Sequence, residues 1–520
     1  MEEEYHWADQ EASKIIEQKG KKKEYVIASG VTPSGTLHIG NFRELITGDF
    51  IVKALAKKGK KAIHYHYWDD YDVFRKIPVN MPKQDVLKKY LRKSLIFVPD
   101  VVDGKHKNFP EHNEKEVEEF LPIVDVTPTI LKQSELYQKC KYAEEIKTAL
   151  ENVEVIKDIF NKYRREELQE GWLPISIYCE KCHLEAEKIK YNGEYSVSYE
   201  CKCGNKGTFD FRKKGLLKLK WRVQWPAWWH NMKVDFESAG KDHFAAGSGI
   251  DTGREIQKRI YGTDHPLGFR FGWISLKGGK QFSSSTGVII TLKETLEIYE
   301  PSIVRFLFAG SRPSAEFAIS FDLDVLKIYE DFDRTERIYF GKEKVENEKR
   351  KETEKRNYEL SSIKIPKKMP LQPSIRHLTT LIQMHDFNVS KVMKEYDTQD
   401  DFDKQRLKTR IKCAINWLKK YAPDEIKFEL QENVSGEVKE KLSERQKKAI
   451  KILNERLKKK KFNEKKLFEE FYNISKELDL ETKDFFKAAY LILLNKERGP
   501  RLAPFILTLG EKATSLFSRI

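Results

Sequence analysis

The chain has 520 residues, a formal net charge of +15 at pH 7, and 39% hydrophobic residues, with 12% of all residues aromatic. This length predicts two to four domains, and the composition excludes a disordered chain. No segment reaches the roughly 18–20 consecutive apolar residues of a membrane-spanning helix, so a soluble, cytoplasmic protein is expected. The basic excess favours a polyanionic partner, nucleic acid before membrane, although solvated Lys/Glu helix faces explain part of it.

Residues 25–44 read YVIASGVTPSGTLHIGNFRE, which predicts a strand, a turn and the beginning of a helix. His38 and Asn41 then lie on the first helical turn, where the backbone N–H groups and the helix dipole favour phosphate. Gly40 lets a ligand approach the backbone closely. The alternative is an ordinary strand–helix turn in which His38 only caps the helix.

A second strand is predicted over residues 62–67, and it is followed by Trp68-Asp69-Asp70-Tyr71-Asp72. Carboxylates at the carboxyl ends of parallel strands face the ligand crevice of a doubly wound sheet. Asp69 or Asp70 is therefore a candidate for binding a cationic group or a substrate amine. Helix capping and solvation are the alternative.

Four of the six cysteines fall within one short segment, as a Cys-x-x-Cys and a Cys-x-Cys. They are Cys179, Cys182, Cys201 and Cys203. This spacing suits two knuckles that place four thiolates around one structural zinc, with Asn192-Gly193 as a hairpin turn between them. The alternative is four unmetallated thiols. Cys140 and Cys413 are predicted to be core residues.

The α/β pattern resumes after the cysteine segment, with strands predicted over 233–237 and 269–274 and a helix opening at 251–256. The second of these strands runs into KGGKQFSSSTG, residues 277–287. A Gly/Ser-rich loop flanked by lysines suits a lid that closes on a triphosphate, with Lys277 or Lys280 neutralising charge. A plain flexible loop is the alternative.

The C-terminal third shows helical periodicity, after a lysine-rich, linker-like stretch at 341–368. Two apolar stripes are formed by Ile450, Leu453 and Leu457 and by Phe485, Phe486, Ala489, Tyr490, Leu493 and Leu494. Lys458 to Lys461 are candidates for contacts to phosphates, and a solvated helix face is the alternative.

Together these motifs resemble the class I lysyl-tRNA synthetases, and they span nearly all of the chain. The matching segments are SGVTPSGTLHIGNFRE (29–44), YWDDYDVFRKIP (67–78), the two cysteine pairs, WRVQWPAWW (221–229), FESAGKDH (236–243), DTGREI (251–256), SSSTG (283–287) and GPRLAPFI (499–506). The resemblance implies a ligase that activates L-lysine with ATP and transfers it to the 2′-hydroxyl of the terminal adenosine of lysine tRNA.

The resemblance also implies roles for individual residues. His38, Asn41 and Lys280 would be catalytic. The ATP site would comprise Thr32, His38, Gly40, Asn41, Lys280, Ser283, Ser284 and Ser285. The lysine pocket would comprise Gly30, Thr32, Glu44, Asp69, Trp221 and His243, with Glu44, Asp69 or Asp70 facing the substrate ammonium group. A local salt bridge is the alternative for these carboxylates.

Two features depart from the family pattern. The usual lid lysines are absent, since Gln281, Phe282, Ser284 and Thr286 stand at the lid positions, so Lys280 is expected to supply the charge or the enzyme to be slow. Related enzymes carry an Asp-Cys-His-His metal cluster; here Asp100, His106 and His112 remain, but Lys105 replaces the cysteine. A second zinc is therefore doubtful.

The expected fold is a split, doubly wound α/β nucleotide-binding domain with a zinc-ribbon insertion and an all-α C-terminal domain. The expected divisions are a first catalytic half (1–84), the insertion (85–215), a second catalytic half with the lid (216–300), a stem-contact or linker region (301–368) and a helical anticodon-binding domain (369–520). The expected ligands are ATP with Mg²⁺, structural Zn²⁺, lysine and lysine tRNA, bound by a monomer. The rival interpretations are a class I synthetase for glutamate, arginine or cysteine, and an inactive synthetase-like RNA-binding protein.

Overall fold

The computed structural model describes residues 4–277 and 289–520. The lid residues Lys280, Ser283, Ser284 and Ser285 lie outside the described residues, so their roles remain predictions. The chain forms two compact units. The first runs to Leu296 and adds Pro301–Ile319 and Gly341–Ile365, and the second comprises Glu297–Glu300, Ser320–Phe340 and Pro366–Ile520. In the described parts of the chain no helix is both long and apolar enough to cross a membrane.

The strands are β1 (Tyr25–Val31), β2 (Ala62–Trp68), β3 (Thr129–Lys132), β4 (Ile175–Ile177), β5 (Lys188–Gly193), β6 (Ser196–Glu200), β7 (Lys206–Asp210), β8 (Leu217–Leu219), β9 (Phe236–Glu237), β10 (Ala239–Gly240), β11 (Arg270–Phe271), β12 (Ile274–Leu276) and β13 (Phe317–Ile319).

The α-helices of the first unit begin with α1 (Trp7–Lys19), α2 (Ile39–Lys57), α3 (Gln84–Lys88), α4 (Phe109–Glu118), α5 (Gln133–Gln138), α6 (Ala143–Glu151), α7 (Val153–Asn161), α8 (Trp221–Met232) and α9 (Gly249–Arg259). Then follow α10 (Leu292–Ile298), whose last two residues belong to the second unit, α11 (Pro301–Ala309) and α13 (Glu348–Ser361). Helix α12 (Asp324–Tyr339) belongs to the second unit. Short 3₁₀ turns lie at Leu95–Phe97, Pro122–Val124 and Lys241–Phe244.

The remaining helices belong to the second unit. They are α14 (Ile375–Met384), α15 (Val389–Lys394), α16 (Asp401–Lys420), α17 (Gly436–Lys441), α18 (Glu444–Lys459), α19 (Glu464–Glu477), α20 (Thr482–Leu494), α21 (Leu502–Leu509) and α22 (Glu511–Phe517). Both predicted apolar stripes, on α18 and α20, lie on helices as expected.

A parallel sheet of order β3-β2-β1-β9 forms the centre of the first unit, which confirms the predicted split α/β fold. The β1–β2 register pairs Tyr25 with Ala62 and Val31 with Trp68, and β9 returns to pair Phe236 with Ile27 on the other side. The long insertion therefore separates strands that are neighbours in space. The carboxyl ends of β2, β1 and β9 meet at one edge, where ligands bind in such sheets.

Two predicted strands are shorter than expected. The strand predicted over 233–237 is confined to Phe236–Glu237. The strand predicted over 269–274 divides into β11 and β12 at Gly272, which donates its N–H to Pro313. A Cβ at Gly272 would lie 2.4 Å from the Ala315 backbone, so the chain bends around a close backbone contact here. Periodicity alone does not detect such a contact.

The insertion contains an antiparallel β5-β6-β7 sheet, as predicted for a ribbon, and its strand β4 pairs with β8, which lies just beyond its predicted end. The hairpin turn, however, lies at Glu194-Tyr195 rather than at Asn192-Gly193. Asn192 remains in β5 because its side-chain amide donates to the hydroxyls of Ser196 and Ser198, at 3.2 and 2.8 Å. Gly193, at φ 95°, absorbs a register shift, and the prediction of the turn position was wrong by two residues.

The lysine-rich stretch at 341–368 contains helix α13, which packs in the first unit. The fully buried Arg305 on α11 donates to the Leu360 carbonyl, the Val124 carbonyl and the Asp49 carboxylate at 2.7–2.9 Å. Arg356 forms a two-bond ion pair with Asp9. These contacts anchor the segment, so its basic surface does not by itself make it a flexible linker.

The second unit encloses a buried ionic network. Arg410, fully buried on α16, donates to the carboxylates of Glu300 (2.6 Å) and Asp333 (2.9 and 2.8 Å). Arg406 binds Glu336 on the same side. A chain shortened near residue 365 would lose both arginines and leave buried carboxylates unpaired, which is costly. Point substitutions therefore test this unit better than truncation.

Candidate active site

A cavity of about 390 Å³ opens at the carboxyl edge of the parallel sheet, which is a size suited to a small ligand. It brings together seven predicted site residues, namely Gly30, Thr32, Asn41, Glu44, Asp69, Trp221 and His243. Its wall also includes Val31, Tyr67, Asp72, Gln224, Trp225 and Trp228, which were not predicted. His38 and Gly40 lie beside it, at the beginning of α2.

The first turn of α2 is ordered by two reciprocal hydrogen bonds. The Gly40 N–H donates to His38 Nδ1 at 3.1 Å, and the His38 N–H donates to Asn41 Oδ1 at 3.0 Å. Burial lowers the pKa of His38 to about 4, so the ring is neutral at pH 7. Because Nδ1 accepts a hydrogen bond, the ring proton lies on Nε2 and can be donated.

Gly40 has a steric role that sequence reasoning did not identify. A Cβ at this position would lie 2.7 Å from His38 Nδ1, so any side chain would displace the imidazole. Ile290, which follows the lid in the sequence, lies at this helix start, since the Ile39 N–H donates to the Ile290 carbonyl at 2.7 Å. The beginning of α2, the His38 imidazole and the segment that follows the lid therefore lie close together.

Two neighbouring carboxyl groups, Glu44 and Glu237, lie at the site. Glu44 lies on the cavity wall, and the buried Glu237 ends β9. Burial first, and then the neighbouring Glu237, raises the pKa of Glu44 to about 8. Burial raises the pKa of Glu237 to about 7. Burial and mutual repulsion keep two such carboxyl groups from both being ionised. Both will ionise when a cation lies between them.

Glu237 is held in position by aromatic donors. Trp229 Nε1 donates to one of its oxygens at 2.5 Å, and the Tyr67 hydroxyl donates to the other at 3.3 Å. Gly30 makes the Tyr67 position possible, because a Cβ there would lie only 2.2–2.6 Å from the Tyr67 ring. Sequence reasoning missed Glu237, whose only signal was a carboxylate at the end of a short predicted strand.

Asp69 and Asp72 are neutralised internally by Lys218. The Lys218 ammonium is buried, lies 3.1 Å from Asp69 Oδ1, forms an ion pair with Asp72 and donates to Gln224 Oε1 at 2.6 Å. Gln224 Nε2 also donates to Asp69 Oδ1 at 2.9 Å. Lys218, a single charged residue between Leu217 and Leu219 in a strand, was detectable from sequence but not predicted.

Asp70 does not face the cavity, contrary to the alternative that it binds the substrate amine. Its carboxylate accepts hydrogen bonds from the backbone N–H (2.7 Å) and the hydroxyl of Ser134. It joins the loop after β2 to the beginning of α5, which is a structural role. Of the three carboxylates proposed for the ammonium group, Glu44 lies on the cavity wall, interacts with the Gly30 backbone and has no ion-pair partner among the described residues.

Aromatic side chains on α8 form another part of the cavity wall. Trp221 and Trp225 lie with ring centroids 5.8 and 5.2 Å from that of His243. Gly249 on α9 is needed for this packing, because a Cβ there would lie 2.9 Å from Trp221. Burial lowers the pKa of His243, which keeps the ring neutral against the aromatic wall. This wall suits the aliphatic part of a ligand.

Comparison with known proteins identifies the family. The model of the family described as "tRNA synthetases class I (K)" matches residues 5–364. The chain belongs to this family of class I tRNA synthetases. A lysine–tRNA ligase of Borreliella burgdorferi is 44% identical to this synthetase over 521 residues, covering 98% of this chain and 99% of its own.

Two further relatives show the same extent of similarity. A lysine–tRNA ligase of Borrelia garinii subsp. bavariensis is 45% identical over 510 residues and covers 97% of each chain. A lysine–tRNA ligase of Thermococcus kodakarensis is 42% identical over 520 residues and covers 98% of each chain. The resemblance inferred from the motifs is confirmed.

The four cysteines of the synthetase form one cluster in its insertion. All four sulfur atoms lie within 4.8 Å of one another, with Cys179–Cys203 and Cys182–Cys201 separations of 3.7 and 3.5 Å. A tetrahedral zinc with bonds of about 2.3 Å requires sulfur separations of about 3.8 Å. The donor set and its spacing therefore fit a closed four-thiolate metal site.

A second group of possible metal ligands lies near the beginning of α4. It consists of Asp103, His106 and His112, so the structure brings in Asp103, which the sequence analysis did not name. The predicted ligand Asp100 instead accepts the backbone N–H groups of Val102 (2.9 Å) and His106 (3.2 Å), and one of its oxygens lies 3.5 Å from His112 Nδ1.

Proposed function

We propose that this synthetase activates L-lysine with ATP and transfers it to the 2′-hydroxyl of the terminal adenosine of lysine tRNA. The observation that carries the proposal is Glu44, which lies on the wall of a cavity of about 390 Å³ beside a helix N-terminus and has the carboxyl group of Glu237 as a neighbour. The three relatives that match along nearly their whole length are lysine–tRNA ligases, which agrees with the proposal.

The ammonium of lysine binds at Glu44, its aliphatic chain lies along Trp221 and Trp225, and its carboxylate points toward the beginning of α2. That carboxylate attacks the α-phosphorus of ATP in line, forming lysyl-adenylate as pyrophosphate leaves. His38 Nε2–H and the N–H groups at the helix start stabilise the added negative charge, and no covalent enzyme intermediate is required.

ATP brings Mg²⁺, which is held mainly by phosphate oxygens and water. The lid residues Lys280, Ser283, Ser284 and Ser285 remain predicted contributors to phosphate binding. In the transfer step, the terminal 2′-hydroxyl attacks the adenylate carbonyl, and AMP leaves. Gly30 and Thr32, at the end of β1, would border the reacting carboxylate.

Amino-acid-dependent ATP–pyrophosphate exchange, measured with each of the twenty amino acids in the presence of tRNA, tests this function. We expect exchange with lysine alone. Exchange with glutamate, arginine or cysteine instead would assign a different class I specificity. Absence of exchange with every amino acid would favour an inactive, RNA-binding protein.

Lysine affinity should rise with pH between pH 6 and 8.5. Because the raised pKa values of Glu44, about 8, and Glu237, about 7, keep a proton in the empty pocket, binding a cation must expel it. The binding constant should then increase up to about tenfold per pH unit for each proton released. Isothermal titration in two buffers of different ionisation enthalpy measures this release.

The stability of the ligand-free protein should fall as pH rises, which is opposite to the trend in lysine affinity. A carboxyl group whose pKa is raised by folding stabilises the folded state below its unfolded pKa and loses that contribution as pH rises through the folded value. The increase in Tm caused by lysine should therefore be larger at pH 8 than at pH 6. A pH-independent lysine affinity, with no proton release, would contradict the carboxyl-pair assignment.

We propose that the cysteine cluster holds one structural Zn²⁺, which stabilises the insertion and takes no part in catalysis. Cys179→Ser or Cys201→Ser should reduce bound zinc from one equivalent to near zero and lower the unfolding temperature. Cys413→Ser, a buried cysteine of the second unit, is the matched control and should retain the metal. Wild-type protein free of zinc by elemental analysis would refute the site.

We further propose that the second unit binds the anticodon loop. Phe468 and Tyr472 on α19 are 44% and 49% exposed, with ring centroids 5.2 Å apart. Exposed rings near lysines suit unpaired bases. Phe468→Ala/Tyr472→Ala should reduce the preference for lysine tRNA over an anticodon-mutated tRNA roughly tenfold. Leu507→Ala, an exposed apolar control, should not; unchanged preference in the double variant would disprove this role.

A further inference from the structure

Arg43 is a buried cation on α2, the helix that begins at His38. Only 4% of its surface is exposed, and it lies between Asn41 and Glu44, both of which line the catalytic cavity. Within residues 4–277 and 289–520, no carboxylate lies at ion-pairing distance from its guanidinium group. Burial lowers the pKa of Arg43 to about 10, so the group is still charged at pH 7.

Three backbone carbonyls accept hydrogen bonds from this guanidinium group. Its Nη1 donates to the Gly272 carbonyl at 2.6 Å, and its Nη2 donates to the carbonyls of Arg312 and Ala315 at 3.4 and 3.2 Å. Gly272 lies immediately after β11 and shortly before β12, and Ala315 lies shortly before β13. Arg43 therefore joins α2 to the two segments that lead into this pair of strands.

The strands β12 and β13 run parallel and pair with each other. Ile274 pairs with Phe317, and Leu276 pairs with Ile319. The Lys277 N–H continues this register by donating to the Ile319 carbonyl at 3.0 Å. By holding the chain just before both strands, Arg43 also fixes the end of β12, where the chain continues into the residues that the sequence predicts to bind triphosphate.

Different faces of α2 serve the cavity and the strand pair. The Arg43 Cζ atom lies 5.3 Å from the centroid of the Phe317 ring on β13. Phe42 packs edge-to-face on Phe308 of α11 at 5.5 Å between centroids, and Phe308 packs in the same way on Phe317 at 5.6 Å. The helix that presents Asn41 and Glu44 to the cavity thus holds β13 through its next residues.

Packing alone does not account for a guanidinium group at this position. A buried charge without a counterion is costly, and an apolar side chain would fill the same space without that cost. A guanidinium group has five N–H donors in one rigid plane, so it can bind several carbonyls at fixed angles. It fixes the relation of a helix to two strands more closely than apolar contacts do.

We propose that Arg43 is a positioning residue for adenylate formation, which fixes the first turn of α2 relative to the end of β12. It acts through these two elements, since it is not among the residues that line the cavity. This inference rests on the proposed function, in which His38 at the beginning of α2 stabilises the charge that develops on the phosphate.

Arg43→Lys and Arg43→Gln test the proposal, with single-turnover adenylate formation and calorimetric lysine affinity as readouts. Lysine keeps the charge but lacks the planar set of donors, and glutamine keeps a neutral donor. We expect both variants to form adenylate roughly 10- to 100-fold more slowly, since a misplacement of about 1 Å can cost that much in rate. Their affinity for lysine should be unchanged, which a general loss of structure would not allow.

Gly272→Ala tests the same contact from the side of the strand. A Cβ at Gly272 would lie 2.4 Å from the Ala315 backbone, so the substitution should displace β12 while Arg43 is intact. We expect a similar loss of rate, and the combined variant Gly272→Ala/Arg43→Lys should lose little more than either single variant. A wild-type rate in Gly272→Ala, or additive losses in the combined variant, would overturn the proposal.

Arg305→Lys is the matched control. Arg305 is also fully buried and donates to backbone carbonyls, those of Leu360 and Val124, which lie outside the strand pair. This variant should have a lower unfolding temperature but form adenylate at the wild-type rate. An equal loss of rate in Arg305→Lys would show that any damage to the interior slows the reaction. A wild-type rate in Arg43→Lys would show that charge suffices, and either result would overturn the proposal.

The two hypotheses fail in different ways. Wild-type protein without lysine-dependent exchange would disprove the proposed reaction. An active lysine enzyme in which Arg43→Lys is as fast as the wild type would disprove the role of Arg43 alone.

Discussion

His38→Ala is expected to slow lysyl-adenylate formation by roughly 10²–10³, with little change in tRNA affinity. The neutral imidazole is fixed by the Gly40 N–H at Nδ1, so it presents a donor at Nε2 without needing to reorganise during the reaction. Removing a preorganised donor to developing charge affects the transition state more than the bound substrates. Single-turnover adenylate formation by rapid quench measures the effect.

His38 also caps α2, and the loss of a cap costs about 1 kcal/mol. His38→Asn separates the two roles, because asparagine caps helices well but supplies no imidazole N–H. The asparagine variant should recover the unfolding temperature and remain slow. If His38→Asn recovers the rate as well as the stability, His38 is only a capping residue. If the rate is unchanged in His38→Ala, His38 is not part of the active site.

Glu44→Gln is expected to weaken lysine binding by about 10- to 100-fold, as loss of a hydrogen bond to a charged group costs about 1.5–3 kcal/mol. The loss should depend on the ε-ammonium of the ligand. Norleucine, which lacks that group, should bind the wild type weakly and the variant almost equally. Calorimetric titration of both ligands against both proteins directly gives the coupling free energy between the Glu44 carboxylate and the ε-ammonium group of the ligand.

Asp69→Asn serves as the comparison within the same cavity wall. Because Asp69 is already bound by Lys218 and Gln224, its substitution should perturb stability more than the discrimination between lysine and norleucine. A larger loss of discrimination in Asp69→Asn than in Glu44→Gln would transfer the ammonium-binding role to Asp69. Equal losses of lysine and norleucine binding in Glu44→Gln would exclude a charge-specific contact.

The sequence by itself determined the features that depend on residues close to one another along the chain. The strand, turn and helix around His38 follow from periodicity within twenty residues, and the four cysteines follow from two short spacings. Such patterns are readable because local backbone geometry sets them. The parallel nucleotide-binding fold and the helical C-terminal third were predictable for the same reason.

Only the tertiary structure distinguished the three candidate carboxylates from one another. Asp69, Asp70 and Glu44 look alike in sequence, but Lys218 neutralises the first, Ser134 binds the second, and Glu237 lies near the third. These partners are up to 193 residues apart, from Glu44 to Glu237, and meet only because β9 pairs beside β1. The charge state of a carboxyl group depends on burial and on neighbours in space, and neither is encoded in the residues next to it along the chain.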